Sequence, residues 1–203
     1  LSSYKPLWFH KYQHIYMWML YPVTMLAWTL GDLAYAFHPR VPMDAKVKSL
    51  AVSLTFMLHA WVLPFLVLPA MTAMWFIYLE IIVSSCFFSA QFVVNHEVEG
   101  THGHSTYQDW GKYQTVSSHD YAVESWLWCH LSGGLNNQIA HHLFPSVNFI
   151  HYPLVTKVIR EVCAEEQVEF QHSESMMSAL SKHHDHLYEM GNSLKEIKKN
   201  KAA

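Results

Sequence analysis

Gly133-Gly134-Leu135-Asn136-Asn137-Gln138-Ile139-Ala140-His141-His142-Leu143-Phe144-Pro145 is the stretch on which the reading of this chain turns. Adjacent histidines follow a glutamine by three and four residues. On a helix, positions i, i+3 and i+4 share one face, so the spacing predicts Gln138, His141 and His142 aimed at one spot. Imidazole suits iron, copper, zinc and nickel. An isolated His-His pair is most often an ordinary helix end. Here it follows a long apolar region, in a chain with 16 histidines against 13 Lys+Arg.

The chain has 203 residues, enough for one domain. Apolar residues make 51% of it and charged residues 14%, against roughly 25% charged in soluble domains. A net charge of −3 gives no pull toward nucleic acid, and no nucleic-acid partner is expected. Cys86, Cys129 and Cys163 are scattered with no CxxC pair, so neither a zinc ribbon nor a disulfide framework is suggested. Cys86, inside an apolar run, reads as a small core residue. GxGxxG and Walker A phosphate loops are absent. The first residue is Leu1 and no signal-peptide pattern follows, so an N-terminally incomplete chain is expected.

Residues 15–37 carry Asp32 alone as an ionisable side chain. That run reaches the ~20 residues a membrane span needs, and Pro22 is tolerable in such a helix. A polar, proline-marked connection covers 38–48. From Leu50 to Asn95 the chain is almost uninterruptedly apolar, with only His59 and Glu80 ionisable, and Pro64 and Pro69 divide it into 50–69 and 72–95. Ionisable groups at membrane depth are costly, so His59 and Glu80 face either a cavity or an interface. Residues 96–125 turn polar. Pro153 opens an amphipathic helix with Leu154, Val155, Val158, Ile159 and Val162 on one face and Lys157, Arg160 and Glu161 off it. Beyond Gln171 the tail is polar.

The Gln138 to His142 segment resembles the third histidine box of membrane fatty-acyl desaturases, in the form of the front-end subgroup, whose box begins with Gln. Asn95-His96, closing an apolar helix, is similar to the family's ligand-bearing end of its last transmembrane helix. Tyr12-Gln13-His14, Asp109-Trp110, Gln114-Thr115, Trp126, Gly134-Leu135-Asn136, His142-Leu143-Phe144-Pro145 and His151-Tyr152-Pro153 fall where front-end desaturases carry them. The resemblance covers nearly the whole chain. Ala140 stands where the family usually has Glu, at a position i+2 from Gln138 that faces away from the box. The family's first two boxes, HxxxH and HxxHH, are not found in register and are expected upstream of Leu1. His10-Lys11-Tyr12-Gln13-His14 fits HxxxH formally but matches the stretch after the second box.

The resemblance implies an all-α fold: multi-pass membrane helices with a cytosolic helical cap carrying a histidine-rich di-iron site. Residues 1–95 would be the membrane region, with spans at about 15–37 and 72–95 and an interfacial helix at 50–69. Residues 96–171 would be the cap, and 172–203 a polar C-terminal tail. His96, His141 and His142 would ligate metal, and Gln138 would be a weak ligand or an orienting group. Asp120, Glu124, Asn136 and Asn137 are candidates to hold the far nitrogens of the ligating rings. The implied cofactors are two non-haem iron ions, with O2 as oxidant and electrons from cytochrome b5 or a fused cytochrome b5-like domain. The implied reaction inserts a cis double bond into an acyl-CoA or acyl-lipid chain at the bilayer. The 203 residues alone are expected to be inactive.

Other readings compete. Glu99-Gly100-Thr101-His102 fits the ExxH of soluble di-iron bundles, but those need two such pairs and two more glutamates. His102-Gly103-His104 and His183-His184-Asp185-His186 read as solvated histidines. A metal transporter would carry its ligands within its spans, whereas these histidines gather after the last one. A long-chain-base desaturase, an acyl hydroxylase and an inactive remnant share the scaffold. Ligands of one metal cluster must lie on one side of the membrane, so the crossings between the expected upstream boxes and His96 should be even in number. The lysines near the C-terminus favour the cytosolic side, and Lys199-x-Lys201-x-x is similar to a retrieval signal of the endoplasmic reticulum.

Overall fold

The computed structural model describes residues 7–101 and 109–201, with backbone alone for 193–201. His102 and His104 lie outside the described residues, as do the side chains of the terminal lysines. The regular structure of the described chain is helical apart from one pair of two-residue strands. It divides into two compact units, Met17–Ser89 and Leu1–Tyr16 with Ala90–Ala203.

In the first unit the prolines decide where helices break. The run 15–37, expected as one span, is divided. Helix α1 (Gln13–Leu20) gives way to a 3-10 turn at Tyr21–Val23, where Pro22 lacks an N–H, and α2 (Thr24–Phe37) restarts the chain. A restarted helix has N–H groups without intrahelical acceptors. One of them, Met25 N, donates to Ser85 Oγ at 3.1 Å. Ser89 Oγ donates to Thr24 Oγ1 at 2.9 Å beside it. Ser85 is fully buried, so Ser85→Ala should leave a buried donor unpaired and cost about 1–3 kcal/mol. Unchanged melting in detergent would show that the bond contributes nothing.

Helix α3 (Met43–Met57) continues through a π turn, Leu58–Val62, into α4 (Leu63–Val67). In α geometry the Pro64 ring would collide with the carbonyl of Ala60, and the wider π turn opens that position. Pro64 is thus absorbed. The break comes at Leu68, in the extended conformation (φ −126°, ψ 153°) that a following proline imposes. Helix α5 (Ala70–His96) follows. Met43–Val67 and Ala70–His96, of 25 and 27 residues, are each long and apolar enough to cross a membrane. The first includes most of 50–69, the stretch expected to lie along the interface. Cys86, expected in a core, is exposed. An α5 that is apolar on every side has no inner face for apolarity to mark.

The second unit holds short helices α6 (Trp110–Val116), α7 (Trp126–Leu131) and α8 (Gln138–Leu143), then α9 (Tyr152–Glu165) and the long α10 (Met176–Lys201). Asp109 caps α6 by accepting from Lys112 N at 2.8 Å, and Ser125 caps α7 by accepting from Trp128 N at 3.3 Å. Strands β1 (Asp120–Tyr121) and β2 (His172–Ser173) pair in parallel. Ile139 and Ala140 of α8 form a core with Tyr152, Ile159 and Cys163 of α9. Ala140 is fully buried there, which explains why a small apolar residue suits that place in the box.

Two expectations change here. Helix α9 begins beside Pro153, but its buried face is Tyr152, Thr156, Ile159 and Cys163, while Leu154, Val158 and Val162 are exposed. The Thr156 hydroxyl donates to Asn137 Oδ1 at 2.8 Å, so a buried polar pair, invisible to apolar spacing, sets the rotation. His183, read as solvated, is 1% exposed, with its Nδ1 on the Glu97 carbonyl. Gln13 Nε2 donates to Leu187 O at 2.9 Å, and the His14 ring packs edge-on against His184 and Tyr188.

Candidate functional site

Gln138 opens α8 and His96 closes α5, 42 residues apart in sequence. The Gln138 amide nitrogen lies 3.0 Å from His96 Nε2 and 2.9 Å from His142 Nε2. The two imidazoles stack with centroids 5.2 Å apart and planes at 29°. Gln138 and His142, at i and i+4, therefore meet as the helical spacing predicts. His141, at i+3, points to Tyr152, whose hydroxyl is 3.4 Å from its Nδ1, and its ring centre is 5.9 Å from that of His142.

The far side of His142 is held by residues other than those nominated from sequence. Its Nδ1 is 2.9 Å from Gln114 Oε1 and 3.1 Å from Ser118 Oγ. Gln114 Oε1 can only accept, so His142 carries its proton on Nδ1 and keeps a lone pair on Nε2. That is the tautomer a metal needs, fixed as ligating histidines usually have it fixed. Burial, with His96 and His141 nearby, pushes the His142 pKa down to about 4, so the ring is neutral at pH 7. Gln114 and Ser118 sit four residues apart on α6 and just past it. That spacing was the one signal in the sequence that they share a direction.

The nominated residues do other work. Asp120 is fully buried and its Oδ1 accepts from Ile139 N at 2.9 Å, which caps the start of α8. Asn136 donates to the Ala122 carbonyl, and Asn137 donates to Asn136 Oδ1 at 3.0 Å. Glu124 is exposed. Asn95, not nominated, donates from Nδ2 to both Leu135 O at 2.9 Å and Gln138 Oε1 at 3.0 Å.

Beside the cap, His119 is 1% exposed, with Nδ1 on Val94 O at 2.9 Å and Nε2 on Ser173 Oγ at 3.0 Å. Burial lowers its pKa to about 4 and raises that of Asp120 to about 7. Between about pH 4 and 6.5 the unfolded chain holds a proton on His119 and none on Asp120. The folded chain holds one on Asp120 and none on His119. The totals are equal, so the pair makes stability flat across this window. Removing either partner should expose the other's slope. His119→Asn leaves a raised acid, so stability should fall as pH rises from about 4 to 7. Asp120→Asn leaves a depressed histidine, so stability should fall as pH drops from about 6.5 to 4. Each change is on the order of 3 kcal/mol. Parallel melting curves for both variants and the parent would refute it.

The donor set fits a metal in kind: Nε2 of His96 and Nε2 of His142 converge on one oriented amide. It does not fit in number. Among the described residues no group of three or more His, Cys, Asp or Glu is arranged to hold a metal ion.

The family model described as fatty acid desaturase matches residues 2–174. The chain is 30% identical to an acyl-lipid (8-3)-desaturase B of Dictyostelium discoideum, over 95% of its own length and 46% of that protein. It is 32% identical to an acyl-lipid (8-3)-desaturase of Physcomitrium patens, over 91% and 42%. To an sn-1 linoleoyl-lipid 6-desaturase of Arthrospira platensis it is 27% identical, over 90% and 54%. The chain thus spans about half the length of the curated relatives it matches. No solved structure matches it.

Proposed function

The chain belongs to the fatty acid desaturase family, and from that premise we propose that it is part of a front-end acyl desaturase, an oxidoreductase that inserts a cis double bond using O2. The observation that carries this reading is the meeting of His96 and His142 on the Gln138 amide at 2.9–3.0 Å. In this reading His96, His142 and His141 are ligands of a di-iron centre, and Gln138 orients the first two. The remaining ligands come from outside these 203 residues, and electrons from cytochrome b5. No side chain can remove hydrogen from an unactivated acyl chain, so the bound iron supplies that oxidising power. This chain's own residues hold the His142 imidazole neutral and in one tautomer, through Gln114, Ser118 and Gln138.

The same proposal assigns two crossings to Met43–Val67 and Ala70–His96, which returns His96 to the side where Met43 lies. Residues 96–171 form a cap on the cytosolic side of the endoplasmic reticulum, followed by the tail, 172–203. The substrate is an acyl-CoA or an acyl lipid in the bilayer. Expression of the full-length protein in yeast, with fatty-acid analysis, tests the reading. A new double bond on the carboxyl side of an existing one is expected. A double bond confined to long-chain bases, a hydroxylated chain, or an unchanged profile with stable protein would each overturn it.

A further inference from the structure

One backbone carbonyl sets the polarity of the whole site. Leu135 O can only accept a hydrogen bond, and Asn95 meets it with Nδ2 at 2.9 Å. The same NH2 group donates its other hydrogen to Gln138 Oε1 at 3.0 Å. Gln138 must therefore turn its own NH2 the other way, where its two hydrogens reach Nε2 of His96 and Nε2 of His142. Each of those nitrogens must accept, so each is bare, and the ring proton of each sits on Nδ1. At His142 that proton meets Gln114 Oε1, an acceptor. Turning any one amide around would place two acceptors or two donors face to face elsewhere in the series. Asn95 is 1% exposed, so water does not substitute for it.

We propose that Asn95 is a positioning residue: anchored on the Leu135 carbonyl, it fixes the direction of the Gln138 amide and thereby keeps Nε2 of His96 and His142 unprotonated, the form able to bind a metal. This rests on the metal reading above and sharpens it. Gln138 acts as a hydrogen-bond donor in this arrangement, not as an oxygen ligand. Asn95→Asp tests it with almost no change of shape. A carboxyl group has at most one hydrogen to donate and cannot serve both Leu135 O and Gln138 Oε1. Gln138 then turns its NH2 toward residue 95 and its oxygen toward the imidazoles, which must answer with N–H at Nε2.

The measurement is 15N NMR of histidine-labelled full-length protein, metal-free in detergent at neutral pH. His96→Gln and His142→Gln assign the two signals. Both rings should be protonated at Nδ1 in the parent and at Nε2 in Asn95→Asp. Asn137→Asp, at an equally buried Asn that bonds to Asn136 and Thr156, should leave both as in the parent. An Nε2 proton on either ring of the parent overturns the proposal, whether or not any variant folds. So does an Asn95→Asp protein with unchanged tautomers, or an Asn137→Asp protein in which they switch. Titration with Co2+ separates this from the metal reading. Affinity should fall roughly 10–100-fold in Asn95→Asp. A parent that binds no Co2+ but shows both Nδ1 protons fails the metal reading while the Asn95 relay stands.

Discussion

His142→Ala in the full-length protein should abolish desaturation and strip iron from the purified enzyme. His142 is the residue on which the site's contacts converge: Gln138 at Nε2, and Gln114 and Ser118 at Nδ1. Truncation removes one nitrogen donor, takes the His142 contact from Gln114 and leaves the Gln138 amide with His96 alone of its two imidazoles. Loss of a group that merely orients a ligand costs about 10–100-fold in metal affinity or activity, and loss of a ligand should exceed that range. Iron content and product formation should fall together. His130, exposed and packed against Trp126, is the control, and His130→Ala should keep both. A His142→Ala enzyme with parental iron and turnover would remove His142 from the metal centre.

Gly134→Ala should be the most damaging single-methyl change in the second unit. Gly134 has φ +87°, in the left-handed region where a side chain costs about 1–2 kcal/mol. An added Cβ would also sit 2.6 Å from Phe149 Cβ and 2.7 Å from Tyr152 Cδ2. Neither is the end of a flexible chain, so backbone or ring must shift, at a further cost of about 1–3 kcal/mol. The total is about 2–5 kcal/mol. Tyr152 packs under α8 and its hydroxyl faces His141, so the damage should reach the site as well. Thermal melting in detergent should show a large drop, together with reduced activity at temperatures where the parent is stable. Gly133, with no atom near its Cβ position but φ +62°, should show the left-handed cost alone when changed to alanine. Equal effects at both positions would mean that the Phe149–Tyr152 contact is not what Gly134 protects.

Local patterns were legible in the sequence, and long-range polar pairings were not. The spacing of Gln138 and His142 is a property of one helix, and the two meet as that geometry requires. The meeting of His96 with them depends on how the end of α5 approaches α8. Only the family resemblance pointed to it. Gln114, Ser118 and Asn95 are ordinary polar residues, and their partners lie 24 to 43 positions away. The prolines show a subtler limit. Pro22, Pro64 and Pro69 carry the same chemical restriction. The first produces a 3-10 turn, the second is absorbed by a π turn, and the third ends the helix. Which outcome follows depends on the neighbouring turns. His183 and α9 were misjudged because one buried hydrogen bond outweighs the average tendency of a residue type to face water.

The pairing of β1 with β2 bears on how the protein is made. His119 and Asp120 are synthesised before α8, and Asp120 meets its start 19 residues later. The hydroxyl that closes on His119 Nε2 belongs to Ser173, which leaves the ribosome only after all of α9. Until then a buried imidazole nitrogen lacks its partner and the Asp120 strand has no neighbour. The site's framework is therefore assembled from both ends of this unit and is locked by its late strand. Such non-local contacts reward the chain only after the intervening loop is closed, so this pairing forms more slowly than the local helices. A nascent chain stalled before Ser173 would carry all the histidines of the site on a scaffold still open to proteolysis.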